Sequence, residues 1–128
     1  MALTKVEQLV VDRDQGRCAK CGRQISGPRG FAWSIHHRRP RGMGGTRVAW
    51  VNAPANLVLL CGSGVTGCHG WVELNRAVAD RQGFLISRIG RVTASMVPIR
   101  HALLGAVLLD NEGSYSRVPN ENRKERWV

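Results

Sequence analysis

The chain has 128 residues, with 19 Lys and Arg against 9 Asp and Glu and a formal net charge of +10. This length predicts one domain with a modest core, and the charge favours a polyanionic partner, either nucleic acid or an anionic membrane. No apolar run approaches the roughly 20 residues that span a bilayer, and the amphipathic N-terminus lacks the pattern of a signal peptide. We therefore expect a cytoplasmic protein that does not enter a membrane.

Local sequence signals predict helices and strands along most of the chain. In chain order they are a helix over 4–15, strands over 31–37 and 57–60, a helix over 69–81, and short strands over 84–88 and 97–110. Thr4 and Glu7 fit a capping box at the start of the first helix. Trp71, Leu74 and Val78, at i, i+3 and i+7, are expected to form the buried stripe of the second helix.

The chain is expected to consist of a core and an extension of the same domain. Residues 1–83 form the core, residues 84–116 add short strands, and residues 117–128 are expected to be a flexible basic tail. The sequence Asp-Asn-Glu-Gly at 110–113 predicts a turn within the extension.

The four cysteines stand in two arms, Cys18-x2-Cys21 and Cys61-x6-Cys68. Two disulfides are one reading, but the tight first arm and the missing secretion signal favour a metal site. Four thiolates fill a tetrahedral shell, so a zinc ion held there is structural. The second arm is wider than the usual gap of about two to four residues, and buried free cysteines are the remaining alternative.

Three of the four histidines flank the two cysteine arms, while His101 stands apart. His69 and Glu73, four residues apart, share one helical face. With one histidine from the strand they would supply an N, N, O set with open positions, which is typical of a catalytic metal site. The other histidine of the His36-His37 pair would be free to act as a base.

Adjacent histidines in a strand normally point to opposite faces. Both could reach one cleft only if Pro40 and the glycine-rich loop after it relax this alternation at the strand end.

An arginine cluster follows the histidine pair and consists of Arg38, Arg39, Arg41 and Arg47. A run of charge is usually a solvated face. Beside a metal site in a chain of this charge, however, the planar guanidinium suits phosphate oxygens, and phosphate contacts provide most of the sequence-independent affinity for DNA. We therefore predict that these four arginines bind nucleic acid.

In this arrangement the chain resembles the HNH endonucleases, the ββα-metal nucleases. The matching segments are CAKCG at 18–22, IHHRRPRGMGG at 35–45, NLVLLC at 56–61 and GCHGWVE at 67–73. They are particularly similar to the small HNH proteins of phages, some of which work beside the terminase in genome packaging. The resemblance implies an α+β fold, namely a small zinc-stabilised ββα-metal (HNH) fold with an N-terminal helix and short C-terminal strands.

The resemblance also implies an activity, the metal-dependent hydrolysis of DNA phosphodiester bonds by nicking or double-strand cleavage. It implies structural Zn²⁺ on Cys18, Cys21, Cys61 and Cys68. It further implies that His37 is the general base, that Asn56 orients this base and the loop between the strands, and that His36 and His69 are metal ligands.

The chain departs from the family pattern at Glu73, where related phage sequences often carry a second helical histidine. A carboxylate still binds a divalent cation and is harder than imidazole, so we expect Mg²⁺ or Mn²⁺ as the catalytic ion, with Ni²⁺ and Zn²⁺ as alternatives.

DNA is the expected partner, and phage terminase or portal proteins are further expected partners. A phage-encoded protein would act in the host cytoplasm. Two alternatives stay open: a zinc-ribbon DNA-binding protein, and a terminase accessory protein without its own cleavage activity.

Overall fold

The computed structural model describes residues 3–40, 50–86 and 92–119. Within these ranges the protein has an α+β fold with antiparallel strands, as predicted. The elements are α1 (Lys5–Arg13), β1 (Trp33–His37), β2 (Leu57–Cys61), α2 (Gly67–Leu74), α3 (Arg76–Arg81), β3 (Ile99–His101), β4 (Gly105–Leu109) and β5 (Tyr115–Arg117), with short 3₁₀ turns at Pro54–Asn56 and Ala94–Met96. None of the described helices is long and apolar enough to cross a membrane.

The capping box predicted for α1 is confirmed. The Thr4 amide donates to Glu7 Oε1 at 3.0 Å, and the Glu7 amide donates to Thr4 Oγ1 at 3.1 Å. These two bonds satisfy N–H groups that have no partner within the helix. The helix ends at Arg13, and the chain then turns through Gln15 and Gly16, which both have positive φ angles.

Strands β1 and β2 form an antiparallel hairpin in which His36 faces Val58 and His37 faces Leu57. One face of this hairpin packs on α1 and belongs to an apolar cluster of Val6, Val10, Val11, Ile25, Trp33, Ile35, Leu57 and Leu59. The other face lies against α2 and the C-terminal part of the chain, since Val58 and Leu60 share a larger cluster with Val72 and Phe84. The hairpin is therefore covered on both sides.

The single helix predicted over 69–81 is two helices, because Asn75 leaves the helical conformation with φ −123° and ψ 52°. The expected buried stripe is wrong at Leu74, which is 82% exposed. Val72 and Ala79 are fully buried instead. A break in the helix changes the direction of the chain, so a periodicity counted through it does not describe one face.

The C-terminal residues form a three-stranded antiparallel sheet in the order β3-β4-β5. The strand predicted over 97–110 is divided by a turn before Gly105, which has φ +82°. Residues 84–86, predicted as strand, have no strand structure, and residues 87 and 88 lie outside the described ranges.

The turn predicted at 110–113 is present, and Asp110 Oδ1 accepts from the amides of Glu112 and Ser114. The start of the predicted tail needs correction, because Arg117 belongs to β5 and Val118 is 5% exposed. These residues complete the sheet. Residues 120–128 lie outside the described ranges.

A buried polar network also joins the N-terminal and C-terminal parts. Asp14 accepts hydrogen bonds from the Arg13 guanidinium, the Leu59 amide and His101 Nε2. Arg13 donates in addition to the carbonyls of Pro54 and Leu57. Burial acts to raise the pKa of Asp14, but the hydrogen bond from His101 and the charge of Arg13 outweigh it, so the pKa lies below its ordinary value.

Candidate metal centres

The four predicted zinc ligands lie together. Each of Cys18, Cys21, Cys61 and Cys68 offers a sulfur atom within 4.8 Å of the others. The Sγ atoms of Cys21 and Cys61 are 3.9 Å apart, close to the roughly 3.8 Å separation of two sulfurs on a tetrahedral zinc with Zn–S bonds of about 2.3 Å. All four cysteines are free rather than disulfide-bonded. The cluster therefore fits a structural zinc site.

Local backbone geometry prepares both arms of this cluster. The Cys21 amide points at Cys18 Sγ at 3.5 Å, and the Cys68 amide points at Cys61 Sγ at 3.4 Å. Such N–H groups favour thiolate over thiol, which is the form that binds a metal.

Burial raises the pKa of the Cys18 and Cys68 thiols in the metal-free chain. Burial also acts to raise the pKa of Cys21, but the Arg23 amide and neighbouring thiols bring it below its usual value. A divalent cation would offset the cost of burying several thiolates together.

A second group of ligand atoms lies on the hairpin face that meets α2. His36, His69 and Glu73 each offer one atom within 4.8 Å of the others, and the two imidazole rings meet edge to face with centroids 5.1 Å apart. The set consists of two nitrogens and one oxygen, so a metal ion bound by it would keep open positions for water or substrate. The sequence predicted these three residues as ligands, and the structure brings them together.

The surroundings of His36 favour its neutral imidazole, the form that can bind a metal ion. Its side chain is buried, and Nε2 donates to the Phe84 carbonyl at 2.7 Å. Because a carbonyl can only accept, the proton stays on Nε2 and Nδ1 keeps its lone pair. Burial lowers the pKa of His36 to about 4, although the Phe84 carbonyl acts in the opposite direction. Such a ring is ready to bind a cation at neutral pH.

His69 and Glu73 supply the other two ligand atoms from α2. Burial lowers the pKa of His69, and the Glu73 carboxylate partly opposes this. His69 Nδ1 lies 3.0 Å from Ser34 Oγ on β1. Glu73 is partly exposed, and its Oε1 accepts from Arg76 at 2.9 Å. Arg76 thus holds the orientation of the carboxylate and leaves it partly open to solvent.

His37 does not share the face of His36, because the alternation of the strand holds to its end. It lines a groove of about 350 Å³ on the α1 side of the hairpin, together with residues such as Glu7 and Arg29. Its Nε2 lies 2.9 Å from Asn52 Oδ1. If the Asn52 oxygen accepts there, His37 Nδ1 is left unprotonated and is the atom that can take a proton.

Asn56 is fully buried and fixes the chain on both sides of the loop between β1 and β2. Its Oδ1 accepts from the Arg39 amide at 2.8 Å, and its Nδ2 donates to the carbonyls of Arg39 and Val51. It also accepts from the Arg38 amide through its own carbonyl. These contacts hold the residues directly after His37.

The prediction that Arg38 binds phosphate is corrected by the structure. Arg38 is 0% exposed. Its guanidinium donates to the carbonyls of Gly83, Ala55, Ala94 and Val97. A side chain placed in this way joins three other segments of the core to the end of β1 and does not reach a ligand at the surface.

Arg39 is half-buried, with its guanidinium 5.4 Å from the Trp50 ring centroid. Among the described arginines of the predicted cluster, it is the one that remains a candidate for phosphate. Arg41 and Arg47 lie outside the described ranges.

Two residues beside the histidines, Ser34 and Asn52, were not predicted from the sequence. Single serines and asparagines are common in strands and turns, so only the distances to His69 and His37 distinguish them. Their role is therefore visible only in the structure.

The described residues form a small α+β protein whose cysteine cluster fits a structural zinc site. Comparisons of the chain with protein-family models, curated proteins and solved structures gave no match.

Proposed function

We propose that this chain is a metal-dependent DNA endonuclease of the HNH type, in which β1, β2 and α2 form the ββα-metal motif. The observation that carries the proposal is the convergence of His36, His69 and Glu73 within 4.8 Å. A divalent ion bound by these residues supplies Lewis-acid stabilisation of the charge that develops on a phosphodiester. The net charge of +10 supports DNA as the substrate.

The placement of His37 suits in-line hydrolysis. In that reaction the attacking water and the leaving oxygen lie on opposite sides of phosphorus. His37 and the ligand group lie on opposite faces of the hairpin, so a phosphodiester lying across the end of β1 would meet the base on one side and the ligand group on the other. His37 Nδ1 takes a proton as the water oxygen bonds to phosphorus and the bond to the 3′-oxygen breaks, and the departing 3′-oxygen takes a proton from solvent water.

Asn52 and Asn56 support this arrangement in different ways. Asn52 Oδ1 lies 2.9 Å from His37 Nε2, and an oxygen at this position holds the imidazole in the tautomer that accepts a proton at Nδ1. Asn56 anchors the backbone of the two residues that follow His37. The general base is thereby held from its side chain and from its backbone.

A zinc-ribbon DNA-binding protein is the main rival, and the cysteine cluster and charge would suffice for it. That function gives no reason for two neutral imidazoles and a carboxylate to converge beside the zinc cluster. The resemblance to small phage HNH proteins further supports a packaging role with terminase or portal proteins in the host cytoplasm, in which the chain cuts DNA or serves as an accessory protein.

The test is a nicking assay on supercoiled plasmid with the full, zinc-loaded chain and either Mg²⁺ or Mn²⁺. We expect nicking that EDTA stops and that added Mn²⁺ restores. Zinc content is measured after the EDTA step, because loss of the structural ion would also stop the reaction. We expect His37→Ala to lower the rate by at least about 100-fold.

Glu73→Gln is compared with Glu112→Gln, which changes an exposed carboxylate in the 110–113 turn. Glu73→Gln should lower the rate and Glu112→Gln should not. Wild-type protein that binds DNA but leaves it uncut with every divalent ion would establish the binding function instead. A fully active His37→Ala variant would remove His37 as the base.

A further inference from the structure

The Ser34 hydroxyl connects the two metal-ligand groups. Ser34 lies on β1, two residues before His36, and its Oγ donates to the Gly62 carbonyl at 2.9 Å. The same Oγ lies 3.0 Å from His69 Nδ1. Gly62 directly follows the zinc ligand Cys61, and His69 directly follows the zinc ligand Cys68. The hydroxyl therefore lies between the cysteine cluster and the open ligand group.

The position of one proton determines the direction of this chain of hydrogen bonds. A serine hydroxyl has a single hydrogen to donate, and the Gly62 carbonyl can only accept. With that hydrogen directed at Gly62, Ser34 Oγ is an acceptor toward His69. The His69 proton is consequently on Nδ1, and Nε2 carries the lone pair that a metal ion needs.

The Gly62 carbonyl is itself held in place. Gly62 has φ +88°, a conformation that favours glycine, and a Cβ added there would overlap the Thr66 carbonyl. Its amide donates to the Ala32 carbonyl at 2.7 Å. The acceptor that directs the Ser34 hydroxyl is therefore fixed by the tight turn that follows Cys61.

We propose that Ser34 is a positioning residue that holds His69 in the tautomer with an unprotonated Nε2, and that it does so from the zinc-bearing loop through the Gly62 carbonyl. The backbone of His69 is fixed by Cys68 and its side chain by the residue after Cys61. The cysteine cluster then prepares a ligand of the open site in addition to stabilising the fold. This inference rests on the proposed function of that site.

The first measurement is the tautomer of His69 in the zinc-loaded full chain without added Mn²⁺, read at pH 7.5 from long-range ¹⁵N–¹H correlations of the imidazole. We expect the Nδ1–H form in the wild type. An Nε2–H form in the wild type would overturn the proposal without any variant.

The second measurement compares Ser34→Ala, Ser34→Thr and the control Ser116→Ala, an exposed serine on β5. We expect Ser34→Ala to give a tautomer mixture and to bind Mn²⁺ about 10- to 100-fold more weakly in calorimetry. Ser34→Thr keeps a hydroxyl and should restore both, while Ser116→Ala should match the wild type. Unchanged tautomer and affinity in folded Ser34→Ala would overturn the proposal.

These readouts separate the inference from the proposed function, because neither depends on cleavage. Wild-type protein that binds Mn²⁺ but cuts no DNA would contradict the nuclease and leave the role of Ser34 as a ligand-positioning residue supported. Wild-type protein that binds no Mn²⁺ would contradict both the metal site and the positioning role.

Discussion

The two candidate ligand groups of this protein differ in their donor atoms and in the number of ligands, although both include residues of helix α2. The cysteine group combines four soft sulfur ligands from two turns, which fill a tetrahedral shell. The histidine–glutamate group combines two nitrogens and one oxygen, and its carboxylate is partly exposed. Cys68 and His69 are neighbours in sequence, so one turn of helix contributes to both groups.

Because of this difference, we expect the cysteine group to stabilise the fold and the histidine–glutamate group to take part in the reaction. A filled shell has no position left for water or substrate, so its ion stabilises the fold and does not itself take part in a reaction. An incomplete shell gives less stability but leaves room for a reacting group. We therefore expect variants of the first group to change folding and variants of the second to change metal binding and catalysis.

The largest expected effect comes from Cys18, which is fully buried in the cysteine cluster. Cys18→Ser should lower the free energy of unfolding by about 5 kcal/mol or more, because structural zinc binding contributes directly to folding. Thermal unfolding and zinc content measure this effect. His69→Ala is the matched variant in the open group and should keep its zinc with a stability change of about 1 kcal/mol. Equal losses of unfolding free energy and of zinc in the two variants would contradict the division into a structural group and an open group.

The arginines after β1 offer the next contrast. Arg38→Met should destabilise the protein by roughly 3 kcal/mol, because the four carbonyls that its guanidinium binds would lose a buried donor. Arg39→Ala should leave chemical denaturation nearly unchanged and weaken DNA binding at low salt. A stable Arg38→Met variant with impaired DNA binding would instead support the original prediction that Arg38 binds phosphate.

The pH dependence of stability reports on His36. Its pKa in the folded chain is about 4, against 6.5 as the ordinary value. Because the unfolded chain takes up a proton first, the stabilising contribution is complete above about pH 6.5 and is lost as the pH falls toward 4. Between pH 7 and pH 5 we expect a loss of about 2 kcal/mol in unfolding free energy.

His36→Gln keeps a donor for the Phe84 carbonyl but has no group that titrates at this position, so it should lack the loss of unfolding free energy that His36 causes. Any loss of zinc at low pH should be the same in the variant and the wild type. The difference between the two denaturation profiles therefore isolates His36. Parallel profiles for His36→Gln and the wild type would contradict the assignment.

Variants of Asn52 test the proposed role of His37 as the general base, on the other face of the hairpin. Asn52→Ala should lower kcat by about 10-fold, because His37 would lose the partner that holds its Nε2. Asn52→Asp retains an oxygen acceptor and should retain most activity. Asn111→Ala, at an exposed turn, is the matched control. Equal rates for Asn52→Ala and the wild type would show that Asn52 has no role in catalysis.

The smallest expected effect concerns the choice of metal. Glu73→His replaces a hard oxygen by an imidazole nitrogen, so the ratio of activity with Ni²⁺ to activity with Mg²⁺ should rise by roughly 10-fold. Rates with Mg²⁺, Mn²⁺, Ni²⁺ and Zn²⁺ are compared for both proteins. An unchanged ratio of Ni²⁺ activity to Mg²⁺ activity would refute the role assigned to the carboxylate.

Local chemistry allowed much of the framework to be predicted from the sequence. The capping box at Thr4 and Glu7 depends on residues three positions apart, and the turn at 110–113 depends on the Asp110 side chain and the next few amides. The convergence of one strand histidine with His69 and Glu73 was also predicted from a short strand, a helical spacing and the cysteine arms beside them, and the family resemblance implied that this histidine is His36.

Other features depended on contacts that the sequence does not encode locally. Arg38 and Arg39 are adjacent arginines, yet one is buried against four carbonyls and the other lies beside an indole ring. Leu74 matched a buried periodicity, yet it is exposed at the end of α2, directly before the break at Asn75. His101 looked isolated, yet it donates to Asp14, 87 positions earlier.

The sequence by itself determined the candidate ligands and most of the local elements that carry them, because cysteine spacing and helix capping act over a few residues. The tertiary structure decided which atoms face one another. It placed His36 and His37 on opposite sides of the hairpin, since both faces are packed and a strand cannot turn one residue over without exposing its apolar neighbours. It also placed Ser34 between the zinc-bearing loop and His69, a contact set by the packing of β1 against α2.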